Sequence, residues 1–590
     1  MAAIMRAALK KERRNWLLPE PLRAQPGLES YSPVFRQILH GRGVTQARHL
    51  DPWLQSDLSH SPDPFLLKDM AIACDLIGDA VATGRRIAVY SDYDADGVTA
   101  CVTLARGLRS VGADVVTYIP NRFTEGYGLN GEALKDLSAR GVSLVITCDC
   151  GTNSVEVARD RPRGMQMIVT DHHEVGLERP PVDALINPKQ PDCAYPFDGL
   201  AACGVAYKML VALERRTFPG RLDPRASLDA VALGTVADVV PLHAENRAIV
   251  RAGLAFMNGN PGHGCRALLD VAGVRSPVTA EHLAFQLGPR INAAGRLEDA
   301  VLALDLLLAD SPELAAPLAA RLQEQNAQRQ KLTADIVREA KARVAELGDD
   351  ASIIVMGAAQ WPLGVLGLAA SRLVEEFYRP AFIFNTEGDE WRGSARSIEG
   401  FHLVECLQHC APLLHRFGGH AMAAGFTVRR EQFPALKECL EDYASRCLDP
   451  QMFSRPIKVE AVAALADLKP SLHQEIQLLA PFGVGNREPL LVSRDLQVLR
   501  AETFGASGRH LRLQLRDRTA SAEAFAFDKG GSAAHLPAGR RIDVVYGLDC
   551  ERWDGLDRVR LHLKDLRPAT SAAVAVNSKI ALPEPTPVLR

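Results

Sequence analysis

The 590-residue sequence contains no uninterrupted apolar stretch near the ~18 to 20 residues that crossing a bilayer takes, so no spanning helix is expected. It has no Cys-x-x-Cys pair either. Its twelve cysteines are scattered, and no short segment is dense enough in them to read as a disulfide scaffold or zinc module, which points to a reducing compartment. Cys406 and Cys410 lie one helical turn apart beside His402 and His409, a spacing that can hold a metal but more often reflects small packing residues. A basic excess is also missing: at a net charge of −3, any nucleic-acid surface must be local. The best stretch is 500–518, where Arg500, Arg509, Arg512, Arg516 and Arg518 outnumber Glu502 and Asp517, although a solvated strand face accounts for these equally well. The N-terminus places its charges after a very short apolar run and then meets Pro19 and Pro21, the wrong order for a secretory signal, so a cytoplasmic protein is expected.

What is present is an ordinary globular composition. Hydrophobic residues at 47% and charged residues at 24% argue against a disordered, collagen-like or coiled-coil chain. At roughly 150 residues per domain, the length predicts about four domains. From Arg85 to Asn187, short β-branched runs at 87–90, 115–120, 144–148, 167–170 and 184–187 alternate with helical stretches near 98–111 and 131–140, the pattern of a parallel α/β sheet. Helices are expected over 202–217 and 227–256, and over 280–310 with a break at Gly288 and Pro289. Residues 313–347 read as one long helix. Its face Leu322, Asn326, Arg329, Thr333 and Ile336 is too polar for a core, which predicts a bridge between lobes. A second α/β unit has strands at 353–356 and 381–384 and a helix over 364–378. Beyond Pro450, alternating runs such as HLRLQLRD and DRVRLHLKDL predict a small β-barrel, and the Ala-, Ser- and Pro-rich end predicts a disordered tail.

The strongest chemical signal is Ser91-Asp92-Tyr93-Asp94-Ala95-Asp96-Gly97, directly after the first strand. A calcium EF-hand loop opens similarly, but counting from Asp92 the twelfth position is Thr103 rather than Glu, and the preceding element is a strand where a helix is required. Acidic residues at the carboxyl end of a parallel strand instead face the crevice where open α/β sheets bind ligands. Two more strands end in the same way, in Asp149-Cys150-Gly151 and in Asp171-His172-His173-Glu174. Each Asp alone is as readily a cap or a turn residue. Three such strand ends together describe a rim of hard oxygen ligands and imidazole for a divalent cation. Asp238, in GTVADVVPL, adds a fourth carboxylate, or merely ends a helix.

Taken in order, DYDADG, DCG, DHH and GTVAD resemble the four-motif signature of the DHH phosphoesterases, and within that family the bacterial single-strand-specific 5′→3′ exonucleases. The resemblance continues through Gly288-Pro289-Arg290-Ile291-Asn292-Ala293-Ala294-Gly295-Arg296, Gly393-Ser394-Ala395-Arg396, Phe417-Gly418-Gly419-His420 with MAAG, and Pro481-Phe482-Gly483 with Asn486 and Pro489. It implies an N-terminal extension (1–70), a DHH catalytic domain (71–310), a connecting helix (311–348), a DHHA1 domain (349–450), an OB-type nucleic-acid-binding barrel (451–568) and the tail (569–590). It also implies Mn²⁺ or Mg²⁺, commonly as a pair. Asp149 is then the candidate shared ligand, with Asp94, Asp96, Asp238 and His172 as the other ligands. Asp92 and Asp171 are ligands or supports of ligands. Adjacent side chains in an extended segment point apart, so His173 is expected to touch the phosphate or to hold its neighbours.

The substrate side of the resemblance has its own physical reading. Gly418 and Gly419 let backbone approach a nucleotide closely, His420 can donate to a phosphate oxygen, and Ser394 with Arg396 makes an anion site. Arg122, Arg290, Asn292 and Arg296 are expected to contact substrate as well. Two positions depart from the family pattern: Cys150 stands where Asn is usual, and Pro362 stands where a His usually follows the Trp. The expected activity is exonucleolytic hydrolysis of single-stranded DNA from its 5′ end to 5′-mononucleotides, in repair and recombination, by a monomer acting with single-strand-binding protein and a helicase and with no membrane partner. The alternatives are a DHH hydrolase of small phosphates or oligoribonucleotides, which would not need the barrel, and a catalytically silent DNA-binding scaffold.

Overall fold

The computed structural model describes residues 15–569 except 24, 55, 127, 348–350 and 554–555. The expected tail therefore lies outside the described residues but for Ala569, as do the first fourteen residues. The chain divides into two compact units, residues 55–455 with 481–487, and residues 1–54 with 456–480 and 488–590.

The larger unit begins with five parallel strands, β1 (Arg86–Ser91), β2 (Val115–Tyr118), β3 (Val142–Cys148), β4 (Gln166–Thr170) and β5 (Ala184–Ile186), in the order β2-β1-β3-β4-β5. Both faces are covered, which is why the strands read as continuous apolar runs rather than alternating ones. Ile87, Val89, Leu144 and Ile146 face one apolar cluster, and Ala88, Tyr90, Val145 and Met167 face another. Helix α1 (Ala95–Ser110) follows β1, and α2 (Ala202–Arg216) and α3 (Leu228–Ala237) pack against it. The order reverses between β1 and β3, so their carboxyl ends flank the crevice in which such sheets bind ligands.

The break expected at Gly288 and Pro289 is not there. The helical backbone widens into a π-turn over Leu283–Leu287 and runs on as α4 (Gly288–Leu297), with Pro289 in its first turn. Helix α5 (Pro312–Leu347) does join two lobes, but the face read as too polar for a core is largely buried. Leu322 sits in the core of the first lobe and Ile336 in that of the second, with Asn326 buried between them.

The second lobe is a five-stranded sheet of order β9-β10-β8-β7-β6, from β6 (Ile354–Ala358), β7 (Ala381–Asn385), β8 (Glu390–Arg396), β9 (Arg416–Gly419) and β10 (Ala423–Arg429). Only β6–β7 is a parallel pair. Helix α6 (Leu363–Phe377) crosses it. The lobes approach closely: a Cβ on Gly364 would lie 2.0 Å from the carbonyl oxygen of Arg296. Cys410 is bonded to Cys439, and His402 caps the helix Leu403–His409 by accepting the N–H of Glu405, so the metal spacing noted in the sequence is not used.

The smaller unit is the barrel. Its strands β11 (Ala461–Val462), β12 (Leu491–Phe504), β13 (His510–Arg516), β14 (Ser521–Ala526), β15 (Arg541–Trp553) and β16 (Leu556–Pro568) run β11-β12-β13-β14-β16-β15, and β12–β15 pairing closes the ring. Residues 15–54 belong to this unit rather than standing apart. Asn15–Leu17 pairs with Pro456–Lys458, Trp16 donates to Asp565 at 2.7 Å, and Arg42 grips Glu460 with two nitrogens at 2.7 and 3.0 Å.

Candidate metal centre and anion pocket

Each strand end presents its carboxylate for a local reason. After β1 the chain turns, and Asp94 caps α1 by accepting the N–H groups of Asp96 (2.9 Å) and Gly97 (3.1 Å), which an Asp at that position does readily. Asp96, 1% exposed, accepts the N–H groups of Ala202 and Cys203 at the start of α2. Helix α3 comes very close to α1 through Gly234, where a Cβ would lie 2.0 Å from Thr99 Oγ1 and 3.1 Å from Asp96 Oδ1. That approach brings Asp238, at the end of α3, to the same site. After β3, Asp149 adopts a left-handed conformation (φ 63°), which Asp tolerates better than most residues. Val239, next to Asp238, is also left-handed (φ 66°), a strained state for a β-branched residue.

The side chains converge. His172 Nε2 lies 3.1 Å from Asp149 Oδ1 and 3.7 Å from Asp96 Oδ2, and its Nδ1 lies 3.7 Å from Asp238 Oδ2. Three sets place ligand atoms within 4.8 Å of one another: Asp92, Asp94 and Asp149; Asp96, His172 and Asp238; and Asp149, His172 and His173. Asp149 occurs in two of them. Buried oxygens Oδ1 of Asp92 and Oδ2 of Asp238 have no hydrogen-bond partner among the described residues, although most buried polar atoms in folded proteins find one. Hard oxygens, an imidazole and two orphaned carboxylate atoms suit Mn²⁺ or Mg²⁺.

Electrostatics agree. Burial pushes Asp92 up to about 8, with Asp94 adding to the rise, and pushes Asp238 up to about 9, with Asp96 and Asp94 adding. Burial and the surrounding carboxylates raise Asp149 as well. Asp171 differs. Burial would raise it, but His173, Thr152 and their hydrogen bonds hold it below the usual carboxylate range. It accepts from His173 Nδ1 (2.8 Å) and from the backbone N–H groups of Thr152, His172 and His173, so its oxygens are committed to the loop. The two histidines do not point apart as an extended strand would require. The chain leaves β4 at Thr170 and turns, so both rings approach Asp149, at 3.1 and 3.8 Å, with centroids 4.7 Å apart.

The expected substrate residues divide. Arg122 lies over the Tyr93 ring at 5.2 Å. Arg296 reaches the carbonyl of Gly364 at 3.4 Å; burial lowers it to about 10, and the charges of Arg122, Arg396 and Arg329 act in the same direction. Arg396 donates to Ser394 Oγ at 3.1 Å, under Gly367 of α6. His420 is exposed and directly follows Gly418 and Gly419 of β9. Two residues are engaged elsewhere. Asn292 accepts the N–H of Ala95 (2.9 Å) and so braces the turn after β1, and Arg290 donates to Gln323 (2.8 Å) and to the Gln286 carbonyl. Arg329 was not among the expected contacts, because one Arg on a polar helix face carries no signal of its own.

On the barrel, most arginines of the 500–518 stretch are neutralised: Arg500 by Glu502, Arg509 by Asp528 and Arg512 by Glu523. The neighbouring surface is aromatic. Phe527, 59% exposed, packs with Phe504, His510 and His562, and Arg560 lies over Phe525 at 5.2 Å.

Comparison with known proteins settles the relationship. Residues 86–235 match the DHH family N-terminal domain, 350–446 the DHHA1 domain and 459–565 the RecJ OB domain. A single-stranded-DNA-specific exonuclease RecJ of Bacillus subtilis is 37% identical over 538 residues, spanning 90% of this chain and 68% of that one. One of Dickeya dadantii is 34% identical over 93% of this chain and 99% of its own. The chain belongs to the RecJ family. The crystal structure of Thermus thermophilus RecJ in complex with Mn²⁺ superposes with a TM-score of 0.80 at 32% identity, covering 94% of this chain and 80% of that one; its Mg²⁺ complex gives 0.75, at 32% identity over 94% and 79%. The three RecJ segments fall on the parallel sheet, the mixed sheet and the barrel. Among the described residues no helix is long and apolar enough to cross a membrane.

Proposed function

We propose that this chain is a divalent-metal-dependent exonuclease specific for single-stranded DNA, which hydrolyses phosphodiester bonds from the 5′ end and releases 5′-mononucleotides in DNA repair and recombination. The observation that carries this reading is the convergence of Asp92, Asp94, Asp96, Asp149, His172 and Asp238 at the β1/β3 crevice, with orphaned carboxylate oxygens, in a RecJ-family chain. Asp92, Asp94, Asp96, Asp149, His172 and Asp238 would hold Mn²⁺ or Mg²⁺ there, which would supply Lewis acidity and an activated water for in-line displacement. The remaining work falls to the protein. Asp171 orients His173 through Nδ1 and, against burial, raises the imidazole above its usual range, so that the protonated ring can donate to the phosphate. Arg122, Arg296, Ser394 and Arg396 form a basic pocket for the terminal phosphate, and Gly418, Gly419 and His420 cover the strand from the second lobe.

The barrel supports a strand-holding role through its aromatic patch, since base stacking needs no sequence and little net charge. A duplex must be opened before such a site can act, which gives a helicase and a single-strand-binding protein natural places beside a monomeric cytoplasmic enzyme. A silent scaffold would have no reason to keep five converging carboxylates, three of them buried, at a cost in stability. The test is purified protein with Mn²⁺ on end-labelled single strands of both polarities and a duplex control. Mononucleotide release from the 5′ end of single strands alone is expected, and release from 3′ ends or equal cutting of duplex would overturn the proposal.

A further inference from the structure

Asp238 closes α3, and the chain leaves it through left-handed Val239, a state that a β-branched residue keeps only when its surroundings hold it there. One such restraint comes from the helix Ala244–Gly259, in whose first turn Asn246 is fully buried. Its side-chain nitrogen donates to two carbonyls, that of Pro241 at 3.1 Å and that of Gly199 at 2.6 Å. Pro241 lies shortly after Asp238. Gly199 lies just before Ala202 and Cys203, whose N–H groups hold Asp96. A single amide therefore ties the turn that bears Asp238 to the segment that grips Asp96, and these two carboxylates form one ligand set with His172. The residues beside Asn246 strengthen the same joint. The His243 ring stands edge-on to Phe197 at 5.6 Å, and Glu245 accepts from Lys208 Nζ of α2 at 2.9 Å and from the Tyr195 hydroxyl.

The bland alternative is an Asn that only caps its own helix or fills space. A cap is local, whereas the bond to Gly199 spans 47 residues of chain. Space is filled at less cost by an apolar side chain, because Asn246 Oδ1 is buried with no hydrogen-bond partner among the described residues. We propose that Asn246 is a positioning residue of the metal centre, which holds Asp96 and Asp238 on one cation site by joining the Gly199 and Pro241 carbonyls. This rests on the reading of that set as a site for Mn²⁺ or Mg²⁺. A ligand that must first be drawn into place loses part of its binding free energy, so groups behind the ligands set metal affinity.

The test uses the full-length protein. Mn²⁺ binding is measured directly, from the loss of the free-ion signal in electron paramagnetic resonance, alongside thermal unfolding without metal and turnover as a function of Mn²⁺. Asn246→Leu, close in shape and unable to donate, is expected to unfold at a lower temperature, since two carbonyls lose a donor. It is also expected to need about tenfold more Mn²⁺ for half-saturation, in binding and in turnover alike, with kcat at saturating Mn²⁺ within a few-fold of the unaltered protein. Asn246→Ser keeps one donor and should fall between the two, and it decides the matter if Asn246→Leu does not fold. A lowered unfolding temperature with unchanged Mn²⁺ half-saturation, in whichever variant folds, is the result of a purely structural role and would overturn the proposal. Asp238→Asn separates the two levels. If it binds Mn²⁺ as the unaltered protein does, the reading of the set as a metal site has failed, whereas weakened binding in Asp238→Asn with none in the Asn246 variants condemns only the role of Asn246.

Discussion

Asp149 combines three properties that make its substitutions informative: a left-handed backbone, burial and membership of two ligand sets. Asp149→Asn keeps the shape and the tolerance of that backbone while removing one of several crowded negative charges. The metal-free variant is expected to unfold at the same or a higher temperature than the unaltered protein, while hydrolysis in Mn²⁺ falls by at least about a thousandfold. Asp149→Ala should be equally inactive but less stable than Asp149→Asn, because a left-handed alanine costs roughly 1–2 kcal/mol. Scanning calorimetry and a Mn²⁺-saturated nuclease assay check both, and near-normal turnover in either variant would remove Asp149 from the centre of the site. Arg122→Ala and Arg396→Ala test the pocket in the same way. Each is expected to lose activity on 5′-phosphorylated strands about tenfold or more, and much less on 5′-hydroxyl strands. If these arginines made only surface ion pairs, worth about 0 to 1 kcal/mol, the loss would be small and equal on both.

Among the elements, the junction of α4 with α6 decides how the lobes meet. Gly364 opens α6 directly against the last turn of α4, and a Cβ there would lie 2.0 Å from the Arg296 carbonyl oxygen, a backbone atom that cannot swing away. Gly364→Ala is therefore expected to push α6 off α4, to cost about 1–3 kcal/mol of stability and to weaken activity beyond what stability explains, since Arg296 makes that contact and Arg396 packs against Gly367 of the same helix. Calorimetry with steady-state kinetics at a temperature well below unfolding separates the two effects, and a fully active variant would show that the spacing of the lobes is unimportant. Pro362 stands just before this helix, at its N-cap, where proline fits without distortion, so the departure from the family pattern leaves the helix intact. Cys150 is also accommodated. It is buried in the apolar cluster on one face of the parallel sheet, and its carbonyl accepts the Thr147 hydroxyl at 2.7 Å.

For the molecule as a whole, the two units are not consecutive pieces of chain, and this changes what a truncation should do. Ending the chain at 455 removes Pro456–Lys458, the strand partner of Asn15–Leu17, and Asp565, the acceptor of Trp16, leaving residues 15–54 without their packing. It also removes the loop 481–487, where Val484 accepts the N–H of Leu242 at 2.7 Å and Gly485 closes on Pro241, three residues after Asp238. A chain ending at 455 is thus expected to lose affinity for long strands and also to cut short oligonucleotides poorly. Substituting the exposed ring alone, Phe527→Ala, should weaken binding to long strands by a few-fold to about a hundredfold while leaving short oligonucleotides well cut. Fluorescence anisotropy on long strands and turnover of a five-nucleotide substrate distinguish these outcomes, and a truncated chain with full activity on short substrates would deny the loop any part in the site.

By itself the sequence determined the parallel sheet, the connecting helix, two strands and a helix of the second lobe, the barrel and the family. Each is written in local terms: apolar runs bounded by turn residues, a glycine-free helical stretch, alternating strands, and acidic motifs placed directly after strands. The candidate ligands were legible for the same reason, because a carboxylate at the end of a parallel strand can face only one crevice. What tertiary structure alone decided depends on atoms far apart in the chain. It brought Asp238 in through the close approach at Gly234, committed Asp171 to its loop and left Asp92 with an orphaned oxygen, and turned His172 and His173 toward the same carboxylate. It also gave Asn292 and Arg290 internal partners. None of these follows from periodicity, since periodicity tells which face of an element a residue occupies, and only packing tells what that face meets.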